Sequence, residues 1–377
     1  MKIALIGPSY PFKGGIAHYT TLLYRHLKTR HQVTFFTFKR QYPEFLYPGK
    51  GDKDVSQSAL REDGAEQFLD SLNPFTWFRA WRRLRRLQPD LVILPWWVYF
   101  WTPHFYYLAQ RVKRKLGSRL LFICHNVVEH ESNRIAKFCT SLVLKRGDLF
   151  LVHSKDDEAN LKKMLPAAPI TRAFHPSYDV FPQSGVTKAS ARRQLGLHGK
   201  TILFFGFVRP YKGLKYLLEA MPMILQEEKV NLLIVGEFWE GKEECQQQIK
   251  ALGLEKNVQV IDRYVPNEKV EVFFAASDLL VLPYVSATGS GLVQLAFGMG
   301  TPVLVTNVGA LPEVVRDEYT GFIVPPQDPT AIAARIIQYY RINMEESFRE
   351  NIMKDRYRFS WGQLVEKIEA LYARSTH

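Results

Sequence analysis

Cysteine is scarce in this chain. Three occur among 377 residues, Cys124, Cys139 and Cys245. They are scattered, odd in number and form no CxxC pair, which excludes a disulfide framework and a zinc ribbon and fits a reducing cytoplasm. No apolar run approaches the roughly 18–20 residues that cross a bilayer as a helix. The opening Met1-Lys2-Ile3-Ala4-Leu5-Ile6-Gly7 is too short in its apolar part for a signal peptide and reads as a first buried strand. The sequence therefore predicts a cytoplasmic protein that is neither integral to a membrane nor exported. GxGxxG is missing, so the dinucleotide fingerprint is absent. His125, Glu129 and His130 lack the HExxH or HxxEH spacing of zinc hydrolases. What remains is an ordinary globular composition, 46% hydrophobic and 23% charged, long enough for two domains that each bury a core.

Acidic residues are short in one half only. Residues 1–180 hold 28 Lys and Arg against 15 Asp and Glu, a surplus of 13, whereas the remainder holds 22 of each. The whole net charge of +13 thus sits in the first half. Two segments carry much of it. In Asn73–Leu87, Asn73 and Pro74 form a helix N-terminus and Pro89 a stop, and Trp77, Phe78, Trp81, Leu84 and Leu87 form an apolar stripe with arginines on the other faces. Arg111-Val112-Lys113-Arg114-Lys115 closes a second helix, where cations favour the dipole. A cationic face beside aromatics suits an anionic membrane surface; two ordinary amphipathic helices with solvated basic faces account for the same residues. No zinc finger, RRM signature or RNA-binding aromatic pattern supports a nucleic-acid partner.

Short apolar strands alternate with helical patterns almost throughout. Ile3–Ile6, Val33–Phe38, Leu91–Leu94, Leu120–Cys124 and Leu149–Val152 read as strands, with helices such as Tyr19–Leu27 and Phe105–Leu116 between them. The pattern restarts at Lys200–Gly206 and continues through Leu232–Val235, Val258–Ile261, Leu279–Leu282 and Val303–Val305. This βαβ punctuation predicts an α/β chain with two doubly wound Rossmann-like domains, residues 1–180 and 190–358. The linker falls at Phe174–Pro182 and runs on to about Ala189. A last helix, Trp361–Tyr372 within 361–377, can pack back on either domain, the first included. Ligands of such sheets bind beyond the carboxyl ends of the strands, and two such domains suggest a cleft between them.

The residues after each strand carry the chemistry. Gly14-Gly15 opens a helix after the first strand, where bare N–H groups can approach an anion or a sugar hydroxyl; a plain turn is the alternative. After Leu203–Phe205 comes Gly206-Phe207-Val208-Arg209-Pro210-Tyr211-Lys212-Gly213, which sets two cations, Arg209 and Lys212, at a strand–loop–helix junction suited to a diphosphate. Thr288-Gly289-Ser290-Gly291-Leu292 starts a helix after another strand, a second anion-binding N-terminus. Then follow Gly300-Thr301-Pro302-Val303, Gly309-Ala310-Leu311-Pro312-Glu313-Val314-Val315 and Thr320-Gly321-Phe322-Ile323-Val324-Pro325-Pro326. Asp52-Lys53-Asp54 has the DxD form of a metal-binding motif but sits in a polar loop and reads as surface. Cys124 beside His125 closes a buried strand.

In that order, over residues 200–326, these motifs resemble the retaining, nucleotide-sugar-dependent glycosyltransferases of the GT-B fold, the large group that includes phosphatidylinositol mannosyltransferases and bacterial polysaccharide glycosyltransferases. The first half matches more loosely, through Gly14-Gly15 and His125-Asn126. The resemblance implies a nucleoside-diphosphate sugar as co-substrate, with no metal and no resident cofactor. Arg209 and Lys212 would hold the pyrophosphate with amides around Ser290–Leu292, and the departing phosphate would accept the acceptor's proton. His125 falls where the group directs a histidine at the donor sugar. Gly206, Gly236 and Val265 would meet the donor largely through backbone. The group's two glutamates are replaced: Thr288 stands near the first, and Gln294 or Leu295 at the second, where Gln294 can bond a ribose hydroxyl.

The activity so implied is transfer of a hexosyl unit to a growing glycan in cell-surface polysaccharide synthesis; the basic first half and the aromatic stretch at residues 95–101 point to a lipid-linked or otherwise membrane-held acceptor, met on the inner face of the plasma membrane. Within Pro95-Trp96-Trp97-Val98-Tyr99-Phe100-Trp101, Trp97 is an acceptor-sugar candidate, with His104 just beyond; apolar packing explains both equally. A non-catalytic GT-B-like scaffold is the alternative favoured by the missing glutamates. A sugar-nucleotide epimerase of similar fold is a further one.

Overall fold

The computed structural model describes residues 1–43, 51–57, 60–127, 134–178 and 185–375. Two compact units result. One holds the described residues of 1–55, 60–174 and 360–375; the other holds Ser56, Gln57 and those of 175–359.

In the first unit, strands and helices alternate as β1 (Lys2–Ile6), α1 (Gly15–Leu27), β2 (Gln32–Arg40), β3 (Ala65–Asp70), α2 (Pro74–Leu87), β4 (Leu91–Trp96), α3 (Thr102–Lys115), β5 (Arg119–Cys124), α4 (Arg134–Leu144), β6 (Leu149–Val152), α5 (Lys155–Met164) and β7 (Ile170–Arg172). The second has α6 (Lys188–Leu195), β8 (Lys200–Phe205), α7 (Leu214–Glu227), β9 (Val230–Val235), α8 (Lys242–Ala251), β10 (Val258–Ile261), α9 (Asn267–Ala276), β11 (Leu279–Leu282) and α10 (Gly291–Gly298). It ends with β12 (Val303–Thr306), α11 (Leu311–Val314), β13 (Gly321–Val324), α12 (Pro329–Arg341) and α13 (Glu345–Asp355). The final helix, α14 (Trp361–Ala373), belongs to the first unit. There the Trp361 ring lies parallel to His26 of α1 at 5.4 Å, and Glu369 pairs with Arg30 and His31.

Each unit is a wholly parallel sheet with helices around it. The strand orders are β3-β2-β1-β4-β5-β6-β7 and β10-β9-β8-β11-β12-β13. The central strands, such as Ile3–Ile6 and Ile202–Phe204, are fully buried, as two covered faces require. Three strands escape the apolar-run criterion. Of these β3 is a half-buried edge strand with polar Glu66 and Gln67, β7 has only three residues, and β13 has only four and begins at a motif glycine, Gly321.

In both sheets the order reverses once, between β1 and β4 and between β8 and β11. Chains diverge there, leaving room beyond the carboxyl ends for a ligand. The Gly14-Gly15 loop follows β1, and the Arg209–Lys212 loop follows β8. Each sequence motif thus stands at the switch point of its own sheet.

Two expectations change. Helix α2 turns Ala80, Trp81 and Leu84 inward but leaves Phe78 half exposed. At about 100° per residue, Phe78 lies well off the centre of the stripe that Trp77 and Leu84 define. Asp54 is buried rather than at the surface. Its N–H donates to the Pro11 carbonyl, Lys13 donates to the Asp52 carbonyl, and Phe12 and Lys53 form a bridge, so the segment is zipped onto the β1–α1 connection. His18 of α1 lies 3.8 Å from its carboxylate. Glu129 and His130 lie outside the described residues.

Candidate functional site

The cradle of the second unit begins with backbone. Gly206 ends β8 at φ +96° and donates its N–H to Val235; Gly236 ends β9 at φ +153° and donates to Ile261. The two glycines touch, since a Cβ on Gly236 would stand 1.9 Å from the Gly206 carbonyl oxygen. A 3-10 turn, Pro210–Lys212, then brings the chain to Gly213 at φ +69° and into α7. Gly213 is pressed against the loop after β11, where a Cβ would meet the Pro283 oxygen at 1.9 Å. No other residue type fits either position without moving a neighbouring strand end.

This turn folds Lys212 inward. Its side chain is only 7% exposed, and a Cβ on Gly206 would lie 3.2 Å from its Nζ and 3.1 Å from Leu292 of α10. Burial, helped by the Arg209 charge, lowers its pKa from 10.5 to about 8. No carboxylate pairs with it among the described residues; the Tyr284 ring, 5.7 Å away, is its aromatic neighbour. A desolvated ammonium without a counter-ion is costly, and the group that relieves the cost is an anion.

Arg209 is partly exposed. Its guanidinium stands between the rings of Tyr211 and Trp239, at 5.3 and 5.6 Å, and 4.0 Å from Glu240. Phe207 packs at a tilt against Trp239 at 4.4 Å and faces Tyr264 at 6.3 Å, so aromatics from three successive loops form one cluster beside the cation. Val265, next to Tyr264, is buried.

Helix α10 supplies the opposite wall. Ser290 is its N-cap: the hydroxyl accepts from Leu292 N–H and bonds Tyr284 at 3.2 Å. Gly289 and Gly291 leave the helix start free of side chains, and a Cβ on Gly291 would lie 3.3 Å from the Tyr178 ring. Thr288 accepts the Ala310 N–H through its carbonyl. One turn along, Gln294 is 1% exposed and its Oε1 has no hydrogen-bond partner. A buried lone acceptor is uncommon and asks for a donor from elsewhere.

The first unit carries the other candidates. Gly14 caps α1 at φ +113° with nothing near its Cβ position, and Gly15 starts the helix. His125 follows β5; its N–H donates to Trp96, and its ring meets Tyr19 edge-on at 4.5 Å and His153 at 5.2 Å. Sequence reasoning missed Tyr19 and His153, because only the fold brings α1 and the end of β6 to that point. Trp97 is half-buried, its indole donating to Tyr42 at 3.1 Å. His104 requires a correction. It is buried among Phe38, Trp77, Trp101 and Phe105, with neither ring nitrogen hydrogen-bonded, and burial lowers its pKa to about 3. It is a packing residue and presents nothing to an acceptor. Cys124 is fully buried, and its thiol is pushed far up by burial and Asp157. Among the described residues no three His, Cys, Asp or Glu side chains gather as metal ligands, the Asp52–Asp54 pair included.

Two parallel sheets in separate Rossmann-like units, the second with a cationic junction at its switch point, define the GT-B class. The chain belongs to the glycosyltransferases of that fold. Residues 13–174 match the family described as Glycosyltransferase Family 4 and residues 199–341 that described as Glycosyl transferases group 1. It is 31% identical over 193 residues to an uncharacterized glycosyltransferase, MJ1607, of Methanocaldococcus jannaschii, covering 49% of this chain and 48% of that one. It is 27% identical over 265 residues to the D-inositol 3-phosphate glycosyltransferase of Corynebacterium efficiens, covering 66% and 61%. These matches span about half to three fifths of the relatives' lengths. The fold is shared with Anabaena Alr3699/HepE in complex with UDP, at TM-score 0.75, 18% identity and coverage of 98% and 100%.

Proposed function

We propose that the chain transfers a hexosyl unit from a nucleoside-diphosphate sugar, with retention at the anomeric carbon, to a glycan or lipid-linked acceptor in cell-surface polysaccharide synthesis. The observation that carries this reading is the buried, carboxylate-free ammonium of Lys212 beside the N-terminus of α10. Relatives and structural neighbours add support: the Anabaena protein is known with UDP and with UDP-glucose. In the reaction, the bond from the anomeric carbon to the β-phosphate oxygen breaks and a bond to the acceptor oxygen forms on the same face. The acceptor's proton passes to the departing phosphate. Lys212, Arg209 and the Gly291 amide at the start of α10 stabilise the charge that grows on that phosphate, the largest catalytic term in many enzymes. Gln294 bonds the ribose, and His125 acts on the donor sugar by resemblance alone. No step calls for a metal.

The working place that fits is the inner face of the plasma membrane. The positive first half supports it, and no helix among the described residues is long and apolar enough to cross a membrane.

The test is a thermal-shift screen of UDP, GDP and ADP, followed by transfer and hydrolysis assays with the matching sugars. A ligand at a hundred times its Kd stabilises by about 2.7 kcal/mol. Tight binding without turnover of any donor would favour the scaffold reading, for which Thr288 and Gln294 at the glutamate positions already speak. Conversion of the donor sugar with no acceptor present would make the chain an epimerase. Gln294→Met tests the ribose contact separately: it is expected to weaken nucleoside diphosphates several-fold while leaving inorganic pyrophosphate unchanged. Equal loss for both would remove Gln294 from the ribose.

A further inference from the structure

Tyr284 sits just beyond β11, where the Lys212 turn and the start of α10 meet. Its backbone is pinned by three neighbours. Val285, the next residue, donates its N–H to the Tyr211 carbonyl at 2.8 Å, and the Pro283 oxygen before it lies against Gly213. From β12, the Thr306 hydroxyl donates to the Tyr284 carbonyl at 2.6 Å. The side chain is buried, 3% exposed, with the Tyr211 ring edge-on at 6.1 Å. A tyrosine packed in this way has one place for its ring and one for its hydroxyl. Each meets a different part of the cradle.

The ring meets Lys212. Its centroid is 5.7 Å from Nζ, inside the range of about 6 Å over which an aromatic face attracts a cation. A carboxylate at this place would form an ion pair and compete with an incoming diphosphate. A neutral ring attracts the ammonium and leaves its charge for the ligand. The hydroxyl meets Ser290 Oγ, 3.2 Å away. That oxygen also accepts the Leu292 N–H at 3.3 Å, so the cap is held from two sides and this amide is taken. The Gly291 N–H, to which no partner falls among the described residues, is the one left at the helix start.

We propose that Tyr284 is a positioning residue of the cradle: its ring holds Lys212 in place of a counter-ion and its hydroxyl fixes the Ser290 cap, so that one side chain sets both the ammonium and the Gly291 N–H for a single diphosphate. It acts through these two groups rather than on the substrate. The use of such positioning rests on the transferase reading; the effect of the ring on Lys212 does not. Around neutral pH the surroundings of the lysine are constant. The Arg209 guanidinium keeps its charge. Burial pushes up the phenols of Tyr211 and Tyr284, which stay neutral, so Lys212 is the group that titrates.

The experiment follows Lys212 by NMR titration of the ligand-free full chain, its signal identified by its loss in Lys212→Met. Titrations with UDP and with inorganic pyrophosphate run alongside. Tyr284→Leu removes the ring face and should lower the pH at which Lys212 loses its proton by about one pH unit, from near 8. Tyr284→Phe keeps the face and should leave that pH unchanged; if the leucine variant does not fold, Tyr284→Met takes its place. Tyr284→Phe should still weaken UDP and pyrophosphate several-fold, as should Ser290→Ala, and the two together no more than Ser290→Ala alone. A tyrosine that merely fills space would move neither the lysine titration nor this cycle. An unshifted titration without the ring, losses that add in the double variant, or no binding of pyrophosphate by wild type would each overturn the proposal. Expected shifts, with wild type binding pyrophosphate but none of UDP, GDP and ADP, would count against the transferase reading alone.

Discussion

Lys212→Met is expected to make the ligand-free protein more stable and to abolish its stabilisation by nucleoside diphosphates. The reason lies in the burial of a charge with no carboxylate to meet it. A fall in pKa from 10.5 to about 8 corresponds to a cost on the order of 3 kcal/mol at neutral pH. Methionine fills a similar volume and carries no charge, so much of that cost is expected to vanish, as a gain of several degrees in melting temperature. The function moves the other way: transfer should fall about a hundred- to a thousandfold, the usual consequence of losing one donor to a developing anion.

The same lysine predicts two pH dependences. Between about 8 and 10.5 the folded protein has lost the Lys212 proton while the unfolded chain keeps it, so unfolding takes up a proton. Stability conferred at this position therefore rises with pH across that window, and the advantage of the methionine variant shrinks there. Diphosphate affinity runs opposite, weakening by up to about tenfold per pH unit above 8, since the anion binds the ammonium. Denaturation midpoints and UDP titrations across that range check both. A variant no more stable than wild type that still binds UDP normally would take Lys212 out of the site.

Much of this site was legible because it is local in sequence. Gly206, Arg209, Lys212 and Gly213 lie within eight residues, and the turn after a buried strand dictates where they go. The small residues Gly289-Ser290-Gly291 after a strand announce α10, and apolar runs such as Leu232–Val235 announce the central strands. What the sequence hid depends on distant parts of the chain. His104 looked available because a histidine carries no mark of burial; Phe38 and Trp77, far along the chain, close over it. Asp54 looked solvated because nothing local foretells its bond to Pro11. Phe78 looked buried because its helical stripe was drawn too wide. Edge strand β3 alternates polar and apolar residues too weakly to stand out. Burial of Lys212, the property that makes it chemically interesting, emerges only when α10 and the loop after β11 are in place.

That dependence gives the other large expected effect, at a glycine without any side chain in the site. Gly236→Ala should destabilise the protein by roughly 3 kcal/mol or more, since the new Cβ would enter the space of the Gly206 carbonyl oxygen, 1.9 Å away. Relief requires the end of β8 or of β9 to move, and Gly206 is the point on which Lys212 Nζ and Leu292 both converge. Affinity for diphosphates should therefore fall by more than tenfold in the population that remains folded. Gly253→Ala separates the two causes of strain. It too has a positive φ, +65°, but nothing stands within 4 Å of its Cβ position, so its cost should stay near 1 kcal/mol and its UDP affinity should be unaltered. Denaturant midpoints at constant m-value, with UDP titration of the folded protein, report both quantities. If the two alanine variants lost stability equally, backbone conformation alone would explain Gly236, and the contact between the ends of β8 and β9 would have no part in shaping the cradle.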